Sequence, residues 1–215
     1  MRKIFAIFSV ALLFAACNKH KDYDTLIQGT WLCQEVNNLI VPTNQAFVMS
    51  VGVNSVTMAY NADTVWAVEA FPYMFDDDDE FNVAGGAHGG EYDILSLSET
   101  KLRLEKNDVK YTLYKVTRDF ESDLAGSWHG SSNNGEQNFE VSFHRPNFTC
   151  NDGNSELNGK YFLYGELLVM QYSENQSDKV SCWLLEKQND GFRVSSYFAI
   201  AGTVDLQEKI YTLKR

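Results

Sequence analysis

The sequence predicts an all-β fold built from two tandem units of similar size. Tyr, Phe, Thr and Val are frequent and occur in short runs that alternate apolar and polar residues, which is the pattern of half-buried strands. Asp-Gly and Asn-Gly pairs, which suit tight hairpin turns, lie between several of these runs. One opening segment and one closing segment each occur twice, which indicates an internal duplication.

Composition limits the class of protein and its partners. The chain has 215 residues, of which 44% are hydrophobic, so it can bury one large core or two small ones. Its 18 basic residues stand against 29 acidic ones, which gives a net charge of -11. Because nucleic acid binding needs a basic surface that neutralises phosphates, nucleic acid is excluded as an expected partner.

Residues 1–16 have the order of a secretory signal peptide. Arg2 and Lys3 precede an apolar run over residues 4–14, and two alanines follow it. The run is shorter than the stretch of about 20 apolar residues that a transmembrane helix needs. A short buried helix is the alternative, but it does not explain a basic start, an apolar middle and a small-residue end in this order.

Residues 14–17, Phe14-Ala15-Ala16-Cys17, resemble the lipobox of bacterial lipoproteins, in which cleavage occurs just before a lipidated cysteine. The resemblance implies that Cys17 becomes the mature N-terminus and carries several acyl chains such as palmitate, which anchor a protein firmly. It also implies an outer membrane lipoprotein that faces the periplasm or the cell surface and contacts the membrane through its lipid anchor only. Residues 17–25 then form the lipidated N-terminus and a polar, flexible tether.

Two repeated segments mark the beginning and the end of each unit. The openings Gly29-Thr30-Trp31 and Gly126-Ser127-Trp128 place two tryptophans 97 positions apart. A shared Tyr-Thr-Leu segment closes each unit, at residues 111–113 and 211–213, 100 positions apart. The boundary between the units is expected at the polar residues 119–122. The two predicted domains span residues 26–118 and residues 123–215.

Alternation and turn chemistry predict antiparallel strands in both units. In the second unit, Asn189-Asp190-Gly191 joins residues 180–186 to residues 192–198, because Asp-Gly supplies the positive φ angles of a type I′ turn. Asn134-Gly135 and Asn158-Gly159 predict two further turns. In the first unit, the predicted strands are residues 30–36, 46–51, 55–60, 64–71, 93–98, 101–105 and 111–116.

The Gly-X-Trp openings, the antiparallel meander and a basic residue at the end of the closing strand resemble the lipocalin-like domains of many bacterial lipoproteins. The resemblance implies two tandem small antiparallel β-barrels. In that family the tryptophan plugs one end of the barrel and an arginine of the last strand lies over it. The implied structural signature is Trp31 with Arg118 and Trp128 with Arg215. Eight short strands leave an interior wide enough for side chains or one small ligand.

No residue is assigned a catalytic role, and neither an enzyme nor a cofactor is expected. His129 and His144 each follow an aromatic residue that alternation turns inward, so both imidazoles are expected on the surface. His88 lies in a glycine-rich segment, residues 85–90, which is interpreted as a loop too flexible to preorganise a catalyst. Carboxylate pairs for glycoside hydrolysis stay open as an alternative, because their spacing is spatial.

Two acidic segments have a composition that attracts calcium. Residues 76–80 are five consecutive acids, which lack the ligand spacing and the glycine turn of a calcium loop, so they are interpreted as a solvated loop. Residues 151–156 fit equally well as a hairpin loop. No metal ligand is therefore assigned.

Three cysteines follow Cys17, an odd number in a compartment that permits disulfides, so at least one is expected to be unpaired. Cys33 shares strand parity with Trp31 and is expected to point inward. Cys150 and Cys182 lie in two candidate strands of the same unit. A disulfide between them is the one pairing considered, with free buried cysteines as the alternative.

The expected function is that of a lipid-anchored binding module of the cell envelope, for a small apolar ligand. The alternative is a structural or assembly subunit of an envelope complex that contacts protein through exposed sheet edges. A hydrolase of unknown substrate is the third reading. Aromatic residues are numerous enough to line a small pocket or a groove between the units, although most are expected in the core. The candidates are Trp66, Phe71, Tyr73, Phe75, Tyr161, Tyr164, Tyr172, Trp183, Tyr197 and Phe198.

Overall fold

The computed structural model describes residues 23–76, 79–203 and 205–215. The predicted signal peptide, the lipidation of Cys17 and most of the tether therefore lie outside the described residues. In the described ranges, no helix is long and apolar enough to cross a membrane.

Two similar series of short strands make up the described chain. The first half contains α1 (Tyr23–Leu26), β1 (Gly29–Val36), β2 (Leu39–Ile40), a 3₁₀ turn (Thr43–Gln45), β3 (Phe47–Val51), β4 (Ser55–Ala62), β5 (Val65–Phe75), β6 (Glu80–Val83), β7 (Gly90–Leu97), β8 (Lys101–Lys106) and β9 (Val109–Lys115). The second half contains α2 (Glu121–Leu124), β10 (Gly126–Ser132), β11 (Asn138–His144), β12 (Asn147–Asn151), β13 (Glu156–Tyr164), β14 (Leu167–Glu174), β15 (Ser177–Gln188), β16 (Gly191–Ala199) and β17 (Leu206–Lys214).

Each half forms a closed, antiparallel up-and-down barrel, with eight wall strands among its described residues. In the first barrel, β9 pairs back onto β1, and the short β2 pairs with the far end of β1. In the second barrel, β10 to β17 follow one another in order and β17 pairs with β10. Closure removes the free edges that an open sheet would expose. The predicted all-β fold with two tandem barrels is confirmed, and it is consistent with two lipocalin-like domains.

A one-turn helix and a buried tryptophan close the same end of each barrel. Trp31 Nε1 donates a hydrogen bond to the carbonyl oxygen of Ile27 at 2.6 Å, and Trp128 Nε1 donates to that of Leu124 at 2.7 Å. Both indole rings are buried. We call this the closed end of each barrel and the opposite end, where β1 and β10 finish, its mouth.

The inward face of alternate residues fills each barrel with apolar side chains. Trp31 and Cys33 of β1 belong to the core of the first barrel, which confirms that Cys33 points inward. Trp128 and Phe143 belong to the separate core of the second barrel. Strand periodicity of two therefore accounts for the position of the core residues.

A third apolar cluster lies between the barrels, and we call it the interface cluster. Its buried members are Leu32, Ala46, Val48, Ala59 and Trp66 of the first barrel and Leu167, Val169 and Cys182 of the second. The indole Nε1 of Trp66 donates to the hydroxyl of Tyr164 at 3.2 Å, and its backbone N–H donates to the side-chain oxygen of Gln171 at 3.1 Å. The two barrels therefore share buried surface instead of being joined by a linker alone.

Three sequence-based interpretations differ from the observed fold. Tyr23 lies in α1 and is buried against the first core, so residues 23–25 are part of the fold and not of a flexible tether. Phe120, in the predicted polar boundary, is buried and its ring lies 5.5 Å from that of Phe192. Gly159 lies inside β13 instead of a turn. A Cβ there would come 2.1 Å from the carbonyl oxygen of Gln171 on β14, so the close approach of β14 explains the glycine.

Candidate functional site

A cation lies over the tryptophan at each closed end. Arg215 Cζ is 4.7 Å from the centroid of the Trp128 ring, as the family resemblance implied. In the first barrel the cation is Lys115, whose Nζ is 4.9 Å from the centroid of the Trp31 ring. The implied pair of Trp31 with Arg118 is therefore wrong.

Strand register explains why Lys115 takes this place. Lys115 pairs directly with Trp31 across β9 and β1. Arg118 follows the end of β9 by three residues and is exposed. The spacing of 100 between the two Tyr-Thr-Leu segments makes Lys115 the counterpart of Arg215, so the repeat already contained the correct pairing.

The considered disulfide between Cys150 and Cys182 is not formed, since every cysteine in the described part of the chain is a free thiol. Cys150 packs against the core inside the second barrel, whereas Cys182 belongs to the interface cluster outside it. Because the barrel wall separates the two side chains, a disulfide would need backbone rearrangement. Burial raises the pKa of Cys182 to about 12, as it does for Cys33 in the first barrel.

A cavity of about 340 Å³ opens at the mouth of the second barrel. This volume lies within the range of about 300–1,000 Å³ that is typical of small-molecule sites. Five strands supply its apolar lining, so the closed wall fixes the position of each side chain. The apolar lining residues are Phe139, Cys150, Leu157, Trp183 and Tyr211.

Phe139, Trp183 and Tyr211 form a compact cluster of rings, which we call the aromatic cup. The Trp183 and Tyr211 rings stack with centroids 5.7 Å apart and planes at 26°. The Phe139 ring lies 5.9 Å from Trp183 and 5.5 Å from Tyr211. All three side chains are half-buried, so each keeps some surface open to the cavity. Large rigid rings bind planar apolar groups with little loss of side-chain entropy.

The position of Phe139 depends on the glycine opposite it. Gly130 pairs with Phe139 across β10 and β11, and a Cβ on Gly130 would lie 2.2 Å from the phenyl ring. Any larger residue at this position would displace the ring from the cup. Gly130 is therefore a positioning residue for the site.

The rim of the cavity is acidic. Its charged lining residues are Glu136 and Asp152. Asp152 Oδ1 accepts hydrogen bonds from the backbone N–H groups of Asn154 at 2.9 Å and Ser155 at 2.8 Å. These bonds lower the pKa of Asp152, so it is a carboxylate at neutral pH. The site therefore combines an aromatic floor with negative charge at its edge.

Cys150 gives the site a chemical reporter. Burial, with a smaller contribution from the charge of Asp152, raises the pKa of Cys150 to about 11. In the Cys17→Ser protein, we expect iodoacetamide to label Cys150 before the more deeply buried Cys33 and Cys182. Because only the thiolate reacts, the labelling rate should rise about tenfold per pH unit between pH 8 and pH 10. Mass spectrometry of the labelled peptides checks this, and equal labelling of all three cysteines in the native protein would contradict it.

His129, His144 and the described acids of residues 76–80 are not part of the cavity lining, whereas residues 151–156 contribute Asp152 to its rim. His129 and His144 are exposed as predicted, and His129 Nδ1 lies 3.4 Å from a carboxylate oxygen of Glu140. The predicted hairpin at residues 151–156 is confirmed: residues 152–155 form the β12–β13 loop, and Asn151 pairs with Glu156 at its base. Asp76 is exposed, while positions 77 and 78 lie outside the described residues. Among the residues that the structure describes, no three His, Cys, Asp or Glu side chains are grouped closely enough to hold a metal ion.

His88 is packed, contrary to its interpretation as part of a flexible open loop. Its ring stacks on Phe47 with centroids 4.4 Å apart and planes at 27°, and the edge of Tyr60 approaches at 4.8 Å. The hydroxyl of Tyr92 donates to the His88 carbonyl oxygen at 2.5 Å. Burial, followed by the charge of Lys106, lowers the pKa of His88, so the imidazole is neutral at neutral pH. The glycine-rich loop therefore closes the mouth of the first barrel.

The sequence-based list of aromatics contained Trp183 but missed Phe139 and Tyr211. A signal for Tyr211 was present, because it begins the repeated Tyr-Thr-Leu segment. Trp66 and Tyr164, also on that list, belong to the contact between the barrels.

Comparisons with known protein families and with curated proteins gave no match.

Proposed function

We propose that this protein is a lipid-anchored binding module of the cell envelope and that it binds a small apolar ligand at the mouth of its second barrel. The observation that carries the proposal is the cavity of about 340 Å³ lined by the aromatic cup. Barrel mouths are common ligand sites because the closed wall holds the lining side chains in place while one end stays accessible.

The chemistry of the cavity favours binding over nucleophilic catalysis. Cys150 is the thiol that lines it, and a pKa of about 11 keeps this side chain protonated at neutral pH. A protonated thiol is a weak nucleophile and behaves as a small apolar group. Cys150 therefore fits an apolar binding surface.

The N-terminal sequence supports the location of this module. Cys17 lies six residues before Tyr23, which begins α1 at the closed end of the first barrel. Six extended residues span about 20 Å at most. A lipid on Cys17 would therefore hold the closed end of the first barrel near an outer membrane surface, on its periplasmic or its external face.

Ligand binding is testable with N-phenyl-1-naphthylamine, a neutral dye that fluoresces in apolar surroundings. We expect the protein to enhance its fluorescence and Trp183→Ala to weaken binding about tenfold or more, equivalent to about 1.4 kcal/mol, because a stacking surface is lost. Phe198→Ala, which removes an exposed aromatic of β16 outside the cavity lining, should bind as the original protein does. Circular dichroism verifies that both variants are folded.

Two outcomes would contradict the proposal. One is equal dye binding by the Trp183→Ala variant and the original protein, which would place the site elsewhere. The other is that neither this dye nor a charged aromatic probe binds, which would favour the assembly-subunit alternative. For that alternative, Leu39 and Ile40 of β2 are the apolar contact candidates, since they are 66% and 53% exposed.

The anchor is tested by metabolic labelling of cells with radioactive palmitate. Cys17 is the cysteine that follows the apolar run and two alanines, so Cys17→Ser should abolish labelling and leave uncleaved or soluble protein. Cys150→Ser is the matched control and should be labelled normally. Palmitate on the Cys17→Ser protein would overturn the lipidation proposal.

A further inference from the structure

The mouths of the two barrels are built from corresponding residues. Phe47 pairs with Cys33 in the first barrel as Phe139 pairs with Gly130 in the second. Cys33 and Gly130 each lie two residues after the tryptophan of the closed end. Phe47 is therefore the counterpart of Phe139.

The other two rings of the aromatic cup have counterparts as well. In β7, Tyr92 lies two residues before Ile94, and in β15, Trp183 lies two residues before Leu185. Ile94 pairs with the β8 residue that pairs with Tyr111, and Leu185 pairs with the β16 residue that pairs with Tyr211. Because Tyr111 and Tyr211 are counterparts in the repeat, Tyr92 corresponds to Trp183. The repeated Tyr-Thr-Leu segments supply the third pair of rings. The counterpart of the aromatic cup in the first barrel is thus Phe47, Tyr92 and Tyr111.

The mouths differ in what covers these rings. In the first barrel, six residues, 84–89, connect Val83 to its partner Gly90 and carry the His88 ring onto Phe47. This loop packs closely, since a Cβ on Gly86 would lie 2.5 Å from the Phe71 ring. In the second barrel, the matching pair is Met170 and Ser181, beyond which β14 and β15 continue as a paired hairpin to a two-residue turn at residues 175–176. The rings that contact Phe139 are those of Trp183 and Tyr211. The cavity of the second barrel is lined by Phe139, the counterpart of the Phe47 ring on which His88 stacks in the first barrel.

The two mouths also differ in charge. Lys106 Nζ lies 5.1 Å from the centroid of the Tyr92 ring and donates to the carbonyl oxygen of Gly89. Lys106 lies two residues after Leu104, which pairs with Tyr111, and Ser196 lies two residues after Val194, which pairs with Tyr211. Ser196 is therefore the counterpart of Lys106. The Ser196 hydroxyl donates to the Cys182 carbonyl oxygen at 2.8 Å, so this position brings no positive charge to the aromatic cup.

An acid replaces an aromatic residue at the same rim. Val141 and Met49 are counterparts, since each lies two residues after the matched phenylalanines. Val141 pairs with Cys150 and Met49 pairs with Met58. Asp152 and Tyr60 each lie two residues after these partners. Asp152 therefore corresponds to Tyr60, the residue whose ring contacts His88. In the first barrel, His88 and Lys106 place a planar ring and a cation against the aromatic residues. In the second barrel, Ser196 replaces the cation, and the carboxylate of Asp152 lines the cavity beside the aromatic cup.

We infer that the ligand of the second barrel is a planar aromatic cation, with its ring on Phe139 as the His88 ring lies on Phe47, and with its positive charge beside Asp152. This inference rests on the proposed function and specifies its ligand as a flat apolar ring that also carries one positive charge. A flat cation gains ring stacking, cation–π attraction and attraction to the carboxylate together. A planar anion loses the last two contributions and meets like charge at the rim.

The test measures the binding of four probes to the full-length Cys17→Ser protein, which contains both barrels, by isothermal titration calorimetry. The probes are N-methylquinolinium, a planar cation; quinoline, a planar ring that is neutral at neutral pH; naphthalene-2-sulfonate, a planar anion; and N,N-dimethyldecahydroquinolinium, a saturated cation. We expect N-methylquinolinium to bind most tightly, at one site per chain. Asp152→Asn, an exposed substitution, should weaken this cation about fivefold and leave quinoline unchanged.

A second variant tests the correspondence between the mouths. Replacing residues 84–89 by Asn-Gly, together with Lys106→Ser, replaces the loop that carries His88 with a two-residue turn and removes the internal cation. We expect this variant to bind N-methylquinolinium at two sites per chain. A single site in the folded variant would overturn the correspondence on which the inference rests.

The remaining outcomes separate the ligand class from the proposed function. If the sulfonate or the saturated cation binds as tightly as N-methylquinolinium, and Trp183→Ala still abolishes that binding, the planar-cation inference is wrong while the ligand-binding function stands. If neither these probes nor the neutral naphthylamine dye binds, the proposed function and this inference fail together.

Discussion

Replacing Trp31 by alanine is expected to unfold the first barrel, and replacing Trp128 by alanine the second. The two indole rings are 0% and 4% exposed. Each donates its N–H to the backbone carbonyl oxygen of the residue four positions earlier, at the closed end of the barrel. Truncation removes a large apolar area, leaves a cavity and orphans that carbonyl group. Such changes cost about 3–5 kcal/mol, which is comparable with the total stability of a small domain.

The cations over the tryptophans provide the matched controls. Lys115→Ala and Arg215→Ala remove one cation–π contact each, worth about 0.5–1 kcal/mol at partly exposed sites. Urea denaturation followed by near-ultraviolet circular dichroism compares the four variants with the original protein. Strong acrylamide quenching of Trp31 and Trp128, with stability unchanged in the alanine variants, would contradict a structural role and indicate exposed stacking surfaces.

The barrels were predictable because their signals are local or repeated. Alternation fixed which residues of β1 face inward, as the position of Cys33 shows. Turn residues at 189–191 marked the position of the β15–β16 hairpin. The predicted type I′ turn at Asp190-Gly191 is wrong, because neither residue has a positive φ and Gly191 pairs with Gln188 inside β16. The repeated tryptophan and Tyr-Thr-Leu segments indicated two barrels of the same kind, because similar sequence at a fixed spacing folds into similar units.

The candidate site was less predictable because three distant strands assemble it. Phe139, Trp183 and Tyr211 become neighbours only after the barrel closes. The glycine-rich composition around His88 predicted a flexible loop, but the loop is packed. Glycine lets the backbone approach the Phe71 ring more closely than a residue with a Cβ could. For Cys150 and Cys182, strand membership was correct, but their opposite faces exclude a disulfide.

The interface cluster left a trace in the sequence that alternation alone does not reveal. Residues 167–170, Leu-Leu-Val-Met, are continuously apolar, which is typical of a strand buried on both faces. Leu168 and Met170 enter the core of the second barrel, whereas Leu167 and Val169 enter the interface cluster. A strand with one face in water would carry polar residues at these last two positions.

Replacing Val169 by arginine is expected to uncouple the two barrels. Val169 is 0% exposed and points out of the second barrel into the interface cluster. An arginine there would bury a charge without a partner, and breaking such a contact costs several kcal/mol. Because Val169 does not face the interior of its own barrel, both barrels should stay folded while the contact between them opens.

Calorimetry and small-angle X-ray scattering test this uncoupling. We expect the original protein to melt in one transition, because the interface cluster couples the stabilities of the barrels, and the Val169→Arg variant to melt in two with a larger radius of gyration. Val68→Arg is the matched control, since Val68 is 51% exposed on β5 and an arginine there keeps its charge in water. A Val169→Arg variant that melts in one transition at the original temperature and keeps the original radius of gyration would show that the shared cluster does not hold the barrels together.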